Sequence, residues 1–466
     1  MMSKWELSGS ERPNTVNHGL SAFLSETEPL LANIDELPPE TTAELYEMYG
    51  IAAGTATENI ANIDPEIRVT ICGRQGEIVD RIAAFDLLPP EHSRERTYVY
   101  TPAVHNYRKW SNVELLKDKG IVGYLLAKEI NAQPVMYFGT KQEDYSYLPL
   151  LPDMEVLYSG VPDGDEKAYF EHLNADYEKM DVLVLHGMYD QTKTFLDEYR
   201  KLRPDGKVYC GLDMNNWWMD RIDWDKPDVS KFANQCDIIA TSCRKLRDAL
   251  NRKREVHFPC YWIPNGFFDP TGVEVVAEPE NKKNVIITVG RIGDGFKNNS
   301  ELLIAFAGIS EILPGWKLRL IGPIVPEFQL SIDNYFKMRP DLKNRVTFTG
   351  AITDKTELYK EYASAKIFAL TSKQEGAPNV YAEALVHGCM FVTSDIDAAD
   401  DITNYGELGY KYSIGNIDEL SSTLVRACSN ANKSAFKKHI PKALAYAAKH
   451  YDWNLNAKKL AYMLYN

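Results

Sequence analysis

The chain has 466 residues, which is long enough for two or three domains. Hydrophobic residues make up 44% of it and charged residues 25%, proportions that are ordinary for a soluble globular protein. The formal net charge of −14 argues against nucleic acid as the main partner, because phosphate binding needs a basic face. The same charge argues against broad adhesion to anionic lipid, although a local basic patch could still act.

Cysteine usage and hydropathy indicate the compartment. The cysteines are scattered without C-x-x-C spacing, a pattern that favours reduced thiols in a cytoplasm over a disulfide framework. No apolar run reaches the ~20 residues that span a bilayer, and the N-terminal residues lack the apolar core of a signal peptide. We therefore expect a cytoplasmic protein without a transmembrane segment, and contact with the inner face of a membrane stays open. The cysteines are Cys72, Cys210, Cys236, Cys243, Cys260, Cys389 and Cys428.

Residues 1–96 show the weakest pattern. Residues 39–49 (PETTAELYEMY) predict a helix, and residues 67–72 (IRVTIC) predict a short strand. Residues 87–96 combine two prolines with a cluster of charges. We interpret residues 1–96 as an N-terminal extension or as an elaboration of the first domain.

From residue 97 onward, strand-like runs alternate with helix-like runs, which predicts parallel sheets covered by helices. A turn and a loose acidic stretch at residues 263–283 divide two such α/β patterns. The second pattern predicts a doubly wound sheet, which binds ligands at the C-terminal ends of its strands. Its last helix begins at Asn416 with Glu419 three residues later, a spacing typical of a capping box. The strand-like runs are 98–100, 134–138, 155–158, 182–185, 208–211 and 238–240 in the first pattern and 285–289, 318–321, 346–349, 367–370, 390–393 and 410–412 in the second, and the helix-like runs of the first are 113–129, 191–202 and 242–252.

The most informative stretch is residues 372–388 (SKQEGAPNVYAEALVHG), which follows the strand-like run 366–371. We expect a helix to begin at Pro378, where the missing N–H of proline costs nothing, and to end at Gly388. This pattern places the helix N-terminus just after the carboxyl end of a strand.

Two carboxylates flank the start of this helix. Glu375 lies in the loop before it, and Glu383 lies on it. Between them, the amides of Asn379 and Val380 mark the helix N-terminus, where an anion is favoured. A sugar diphosphate attached to a ribose presents hydroxyls, phosphates and hydroxyls in the same order, which suggests a nucleotide-sugar site. Two solvated glutamates on an ordinary amphipathic helix are the alternative interpretation.

A second group of candidates follows the first strand of the same domain. Gly290 and Arg291 come directly after residues 285–289, and Lys297 lies on the same glycine-bearing loop. The arginine guanidinium could bind a diphosphate through two parallel hydrogen bonds and the lysine ammonium could bind it as a point charge. Gly290 would let the ligand approach the backbone closely. Two solvated surface cations are the alternative. Their predicted position at the same sheet edge as Glu375 and Glu383 favours the binding interpretation.

Six segments between residues 284 and 428 follow one another in a known family's order: VGRIGDGFKNNSELLIAF, WKLRLIGP, VTFTGAI, LYKEYASAKIFALTS, EGAPNVYAEALVHGCMFVTSD and LGYKYSIGNIDELSSTL. They resemble the retaining GT-B glycosyltransferases of the family 4 group. The resemblance implies an α/β, GT-B fold of two Rossmann-like, doubly wound parallel-sheet domains facing each other across a cleft. It implies an acceptor-side domain at 97–270, a nucleotide-sugar donor domain at 271–445 and a terminal helix at 446–466 that crosses back to the first domain.

The resemblance also implies roles for matching residues. Glu375 would bind donor-sugar hydroxyls, and Glu383 would bind the ribose. Arg291 and Lys297 would neutralise the leaving diphosphate, an electrostatic task, so that no metal or other cofactor is expected. The predicted catalytic residues are Glu375, His186, Arg291 and Lys297. The predicted donor-binding residues are Gly290, Arg291, Lys297, Ala351, Ile352, Glu375, Gly376, Ala377, Asn379, Val380 and Glu383.

His186 is the first domain's candidate, because residues 182–187 (VLVLHG) resemble the family strand that ends in a histidine facing the donor sugar. A strand-end histidine bonded to backbone is the alternative. The family's Gly-Gly loop has no counterpart here, since residues 101–112 lack a glycine pair. That loop instead carries His105, Asn106, Tyr107, Arg108 and Lys109.

Three further stretches have open interpretations. Residues 213–218 (DMNNWW) could stack on sugars or pack in the core. The basic run 244–254 could meet anionic lipid or a lipid-linked acceptor, and a solvated helix face is the alternative. The carboxylates of residues 163–165 (DGD) have metal-binding spacing, but their Pro/Gly surroundings predict a turn.

The function implied by the resemblance is transfer, with retention, of a hexose-type sugar from a nucleotide donor, with a UDP-sugar favoured. The acceptor would be a hydroxyl of a glycan, lipid-linked saccharide or similar molecule in bacterial polysaccharide biosynthesis. Two alternatives stay open: a non-catalytic GT-B partner subunit, and a sugar-nucleotide epimerase or hydrolase of the same fold. The presence of Arg291, Lys297, Glu375 and Glu383 favours an enzyme. The oligomeric state is open.

Overall fold

The computed structural model describes residues 13–85, 98–103, 111–138, 145–158, 173–273, 275–434 and 436–466. These residues divide into two compact units. Unit 1 comprises the described residues within Met1–Met214, Trp218–Pro264 and Trp453–Asn466. Unit 2 comprises Asn215–Trp217 and the described residues within Asn265–Asp452.

The described part of the chain contains parallel strands and the helices that connect them. The strands are β1 (Tyr98–Ala103), β2 (Gln133–Phe138), β3 (Glu155–Tyr158), β4 (Met180–His186), β5 (Lys207–Leu212), β6 (Ile238–Thr241), β7 (Cys260–Trp262), β8 (Lys283–Val289), β9 (Lys317–Ile321), β10 (Val346–Gly350), β11 (Ala365–Leu370), β12 (Met390–Ser394) and β13 (Gly409–Tyr412). The helices are α1 (Pro13–Leu31), α2 (Pro39–Glu58), α3 (Pro65–Ala83), α4 (Ser111–Glu114), α5 (Asp118–Glu129), α6 (Asp190–Leu202), α7 (Asn216–Met219), α8 (Pro227–Asn234), α9 (Arg244–Arg252), α10 (Asn299–Ile309), α11 (Gln329–Met338), α12 (Lys355–Ser364), α13 (Asn379–Val386), α14 (Ala399–Thr403), α15 (Ile417–Ala431), α16 (Phe436–His450) and α17 (Trp453–Tyr465). Within the described residues, no helix combines the length and the apolar character that crossing a membrane requires.

The described strands of unit 1 form one sheet in the order β3-β2-β1-β4-β5-β6-β7, and every neighbouring pair is parallel. The central strand β4 is buried at every position except Asp181, which is half-buried. A strand that is apolar on both faces is expected where helices cover both sides of a parallel sheet. The predicted α/β architecture is confirmed for this unit.

Residues 67–72, predicted as a strand, belong instead to helix α3. Asp64 caps the helix through a hydrogen bond from a first-turn amide to its side chain (3.0 Å), and Pro65 occupies the first turn. Ile71 and Ile78 are both buried two helical turns apart. The strand prediction was wrong because six residues are too few to separate a helical period from an alternating one.

Buried charges hold α3 within unit 1. Arg68 is fully buried, and its guanidinium donates to the backbone carbonyl of Phe258. Lys459 on α17 is 1% exposed, and its Nζ lies 2.6 Å from Asp80 Oδ1 on α3. A buried charge without such a partner would be strongly destabilising. The terminal helix α17 thus packs on α3 and α5 in unit 1.

The described strands of unit 2 form a second all-parallel sheet in the order β10-β9-β8-β11-β12-β13. The six predicted strands of this half are confirmed. Its core contains Ile286, Phe306, Trp316 and Leu318, which come from β8, α10, the loop after α10 and β9.

At the start of α15 the N-cap half of the predicted capping box is present, but the reciprocal half is not, because the Glu419 carboxylate accepts from the amide of Ser413 and not from that of Asn416. Asn416 accepts a hydrogen bond at 3.0 Å from the amide of Glu419. The hydrogen bond from the Ser413 amide to the Glu419 carboxylate is also 3.0 Å long. These contacts satisfy two amides near the helix start.

Candidate functional site

The carboxyl ends of β8, β10 and β11 lie at one edge of the unit 2 sheet, because all of its strand pairs are parallel. The predicted donor-binding residues of this unit follow these three strand ends. Ala351 and Ile352 come after β10, where Ala351 is exposed and Ile352 half-buried. The other candidates lie on the loops after β8 and β11 and on α13.

The loop after β8 is fixed against its neighbour by a close backbone approach. Gly290 donates its N–H to the carbonyl of Ile321 at 3.0 Å. A Cβ added at Gly322 would lie 1.8 Å from the Gly290 carbonyl oxygen, so only glycine fits there. Gly322 in turn donates to the Gly350 carbonyl at 2.9 Å. The loops after β8, β9 and β10 therefore form one connected edge.

Arg291 lies on this edge and pairs with Asp294, Nη2 to Oδ2, at 2.9 Å. Asp294 also braces the loop, because its other carboxylate oxygen accepts from the amide of Phe296 at 2.9 Å. The Arg291 side chain is 51% exposed. An exposed ion pair contributes ~0–1 kcal/mol, so a phosphate could replace Asp294 at little cost.

Lys297 and Glu375 are brought together by the structure as an ion pair. Their side chains are 19% and 21% exposed, and Ser372 Oγ donates to Glu375 Oε1 at 3.2 Å. The two loops that carry them are joined by backbone: the amide of Lys373 donates to the carbonyl of Phe296 at 2.8 Å. A predicted phosphate-binding cation and a predicted sugar-binding carboxylate thus share one position at the sheet edge.

Helix α13 begins one residue after the predicted start, with Pro378 as its N-cap residue. Proline has no side-chain oxygen, so Pro378 cannot accept hydrogen bonds from the first-turn amides of Asn379 and Val380 as a polar N-cap residue would. Hydrogen bonds to two backbone carbonyls fix the loop that precedes the helix. The Gly376 carbonyl accepts from the amide of Ala398 at 3.1 Å, and the Ala377 carbonyl accepts from the Asn265 side chain at 2.8 Å. This geometry suits an anion at the N-terminus of α13.

Glu383 lies further along α13 and is held by two side chains of α12. Its Oε2 accepts from the Tyr362 hydroxyl at 2.8 Å, and its Oε1 lies 3.2 Å from Lys355 Nζ. The Glu383 side chain is 17% exposed. The alternative of a freely solvated glutamate at this position is therefore wrong.

His186 is the last residue of β4 in unit 1 and is 9% exposed. Burial lowers its pKa to about 4, although the carboxylate of Asp118, 3.9 Å from Nδ1, acts in the opposite direction. The imidazole is therefore neutral near pH 7. Its Nε2 makes no hydrogen bond within the described part of the chain.

The remaining sequence candidates have different outcomes. The loop residues His105–Lys109 and the turn at residues 163–165 lie outside the described residues. Trp217 and Trp218 are 42% and 55% exposed, so core packing, one of their two interpretations, is wrong. In the basic run 244–254, Arg252 forms an ion pair with Glu66 of the same unit.

Sequence reasoning missed four residues that contact the candidates. Asp294 could have been found, because it follows Arg291 by three residues on the same predicted loop. Ser372 likewise precedes Glu375 by three residues. Lys355 and Tyr362 lie 28 and 21 residues before Glu383, and no local pattern relates them to it.

A comparison with family models gives one match in the second half of the chain. Residues 283–430 match the family described as Glycosyl transferases group 1. This part of the chain is similar to that family. The match spans β8 to α15, and so includes every predicted donor-binding residue. A search of curated proteins gives no match.

Solved glycosyltransferase structures share the fold over most of the chain. Anabaena Alr3699/HepE, in complex with UDP and glucose, has 15% identity and a TM-score of 0.56, over 79% of this chain and 99% of that one. Sucrose-phosphate synthase from Thermosynechococcus elongatus has 14% identity and a TM-score of 0.57, over 78% and 97%. The lipopolysaccharide outer core galactosyltransferase WaaB has 16% identity and a TM-score of 0.52, over 76% and 98%. These likenesses show that the chain has the GT-B fold.

Proposed function

We propose that this chain transfers a hexose-type sugar from a UDP-sugar to a hydroxyl of a glycan, lipid-linked saccharide or similar acceptor, with retention of anomeric configuration. The observation that carries the proposal is the Lys297–Glu375 pair at the edge of the unit 2 sheet, in which Lys297 lies on the same loop as Arg291. The complex of HepE with UDP and glucose supports UDP as the nucleotide.

The diphosphate would lie between the cations and the N-terminus of α13. Arg291 would exchange Asp294 for a phosphate oxygen, and the amides of Asn379 and Val380 would donate to another. As the bond to the sugar breaks, negative charge accumulates on the leaving phosphate. Groups already fixed at that point stabilise the charge without reorganisation. We propose that they do so without a resident metal.

Binding of the nucleotide sugar would replace the ion pair between Lys297 and Glu375. Binding gives Lys297 a phosphate partner and gives the Glu375 carboxylate a sugar hydroxyl, so both charges stay paired. The acceptor hydroxyl would then attack the anomeric carbon on the face that the nucleotide leaves, and its proton would pass to the departing diphosphate. His186, which is neutral near pH 7, stays a predicted contact to the donor sugar.

A calorimetric panel tests the donor part of the proposal. UDP, ADP, GDP and a set of their sugar conjugates would be titrated into the wild type, Arg291→Ala and Arg252→Ala. Arg252 is a matched control, because it is 47% exposed and pairs with one carboxylate, as Arg291 does. We expect a UDP-sugar to bind the wild type and the control equally well, and Arg291→Ala about tenfold more weakly, as the loss of one charge-assisted hydrogen bond predicts.

Two results would contradict the proposal. Equal weakening by both arginine substitutions would show that the effect is not specific to the loop after β8. Failure of every nucleotide sugar to bind the wild type would remove the donor site and favour a non-catalytic partner subunit.

A further inference from the structure

Glu383 is held by contacts that the proposal above does not use. Its Oε2 accepts from the hydroxyl of Tyr362, and its Oε1 faces the ammonium of Lys355, so each oxygen already has one protein partner. An ionised carboxylate offers about four lone-pair directions. About two directions therefore remain for ligand hydroxyls on a side chain that cannot rotate without breaking both contacts.

We propose that Tyr362 and Lys355 are positioning residues that aim the Glu383 carboxylate at the ribose hydroxyls of the nucleotide. The inference rests on the proposed function and adds to it the residues that set ribose recognition. Neither residue would touch the nucleotide through this role, and both would act through Glu383.

The backbone of Glu383 is fixed by the same group of side chains. The ring of His387 packs on Tyr362, with centroids 5.8 Å apart and planes at 15°, and its Nδ1 lies 2.6 Å from the Glu383 carbonyl oxygen. A carbonyl only accepts, so Nδ1 carries the proton. Burial lowers the pKa of His387 to about 4, which keeps the ring neutral near pH 7. Glu383 is thus anchored at its backbone and at its carboxylate.

Tyr362 is suited to act as a permanent donor. The residue is fully buried, and burial together with the nearby Glu383 charge raises the pKa of its hydroxyl well above 10. The hydroxyl therefore keeps its proton at any pH at which the enzyme would be assayed. Because it donates to Glu383 Oε2, it occupies one lone pair of the carboxylate and leaves the others for a ligand.

The test is the preference for ribose over deoxyribose, which a purely structural role would not change. UDP and 2′-deoxy-UDP would be titrated by calorimetry into the wild type, Tyr362→Phe, Lys355→Met and Glu383→Gln. Tyr362→Phe keeps the ring packed on His387 and removes only the hydroxyl. Tyr335→Phe is the matched control, because the Tyr335 hydroxyl is buried and makes no hydrogen bond within the described residues.

We expect the wild type to bind UDP ~10-fold more tightly than 2′-deoxy-UDP, the size of a hydrogen bond to a charged group. Tyr362→Phe should bring the two affinities within about threefold by weakening UDP alone, as Glu383→Gln does. Tyr335→Phe should keep the wild-type ratio. Circular dichroism would verify folding, and Lys355→Met makes the same test through the other oxygen if Tyr362→Phe does not fold.

The outcomes separate this inference from the proposed function. If Glu383→Gln removes the preference but Tyr362→Phe and Lys355→Met keep it, the positioning role is wrong and the donor site stands. Equal weakening of both nucleotides by Tyr362→Phe would likewise assign it a structural role only. If the wild type binds neither nucleotide, the proposed function fails and this inference fails with it.

Discussion

Lys297 and Glu375 form an ion pair, so each of the two charged groups has the other as a partner. Replacing Glu375 by Gln removes the carboxylate and leaves the Lys297 ammonium without its anionic partner. We expect UDP to bind Glu375→Gln as well as or better than the wild type, because the cation is no longer neutralised. A UDP-sugar should bind about tenfold more weakly, because its sugar hydroxyl loses a charged acceptor. Calorimetry with both ligands measures the two effects separately.

The control for this prediction is Glu361→Gln. Glu361 pairs with Arg319 at 2.6 Å and is 23% exposed, close to the 21% of Glu375. It should change neither affinity. An equal loss of UDP and UDP-sugar affinity in Glu375→Gln would contradict the assignment of Glu375 to the sugar.

The candidate residues could be located from the sequence because each follows a strand end or starts a helix. The sequence predicted that Arg291, Lys297 and Glu375 would share an edge, and the structure places Lys297 against Glu375. The direct pairing of Lys297 with Glu375 could not be predicted, since the two residues lie on different loops and their contact depends on both backbone paths. The support of Glu383 by Tyr362 depends on how α12 packs beside α13, which no local spacing encodes.

Helix α10 contains a glycine that lowers the stability of the protein. Gly308 lies within this helix, is exposed, and has no atom within 4 Å of the position its Cβ would occupy. Gly308→Ala should raise the free energy of unfolding by about 0.8–1 kcal/mol through helix propensity. Thermal unfolding followed by circular dichroism measures the shift.

An opposite result is expected where glycine is required. Gly388, which ends α13, has a φ of 64°, and an added Cβ would lie 3.0 Å from the side chain of Ile440. Gly388→Ala should lower the free energy of unfolding by about 1 kcal/mol or more, because alanine is strained at that φ. A stabilised Gly388→Ala or a destabilised Gly308→Ala would contradict this account of the two positions.

At the level of elements, the sequence predicted unit 2 better than the first 96 residues. The six strands of unit 2 are short apolar runs bounded by turns, and all six are present. In α1 the helical signal exists, because Val16, Leu20 and Phe23 are buried at helical spacing, but polar residues between them hid it. The predicted helix at residues 113–129 is two helices, since Lys117 adopts an extended conformation between α4 and α5.

For the whole molecule, buried histidines predict how stability depends on pH. Burial lowers the pKa of His186, His387 and His439 to about 4 each. A histidine in the unfolded chain titrates near ~6.5, so between these values the unfolded state binds more protons. The stability from these groups is fully present above pH ~6.5 and is lost as the pH falls toward 4.

Substituting one of these histidines should weaken that dependence. His439→Gln keeps a donor for the Cys389 carbonyl, which His439 Nε2 contacts at 3.1 Å, and removes one titrating group. Urea unfolding at pH 5 and pH 7 should show a smaller loss of free energy in His439→Gln than in the wild type. The same loss in both proteins would contradict a neutral buried His439.

The central claim, that the GT-B chain is a UDP-sugar-dependent transferase, is tested most directly by nucleotide release. UDP formed from the donor identified in the binding panel would be followed over time, with and without a mixture of saccharide acceptors. We predict slow release in water, faster release with an acceptor hydroxyl, and at least ~10-fold slower release in Arg291→Ala, as loss of a charge-stabilising donor requires. Donor binding without any UDP release, or release that no acceptor accelerates, would contradict the claim.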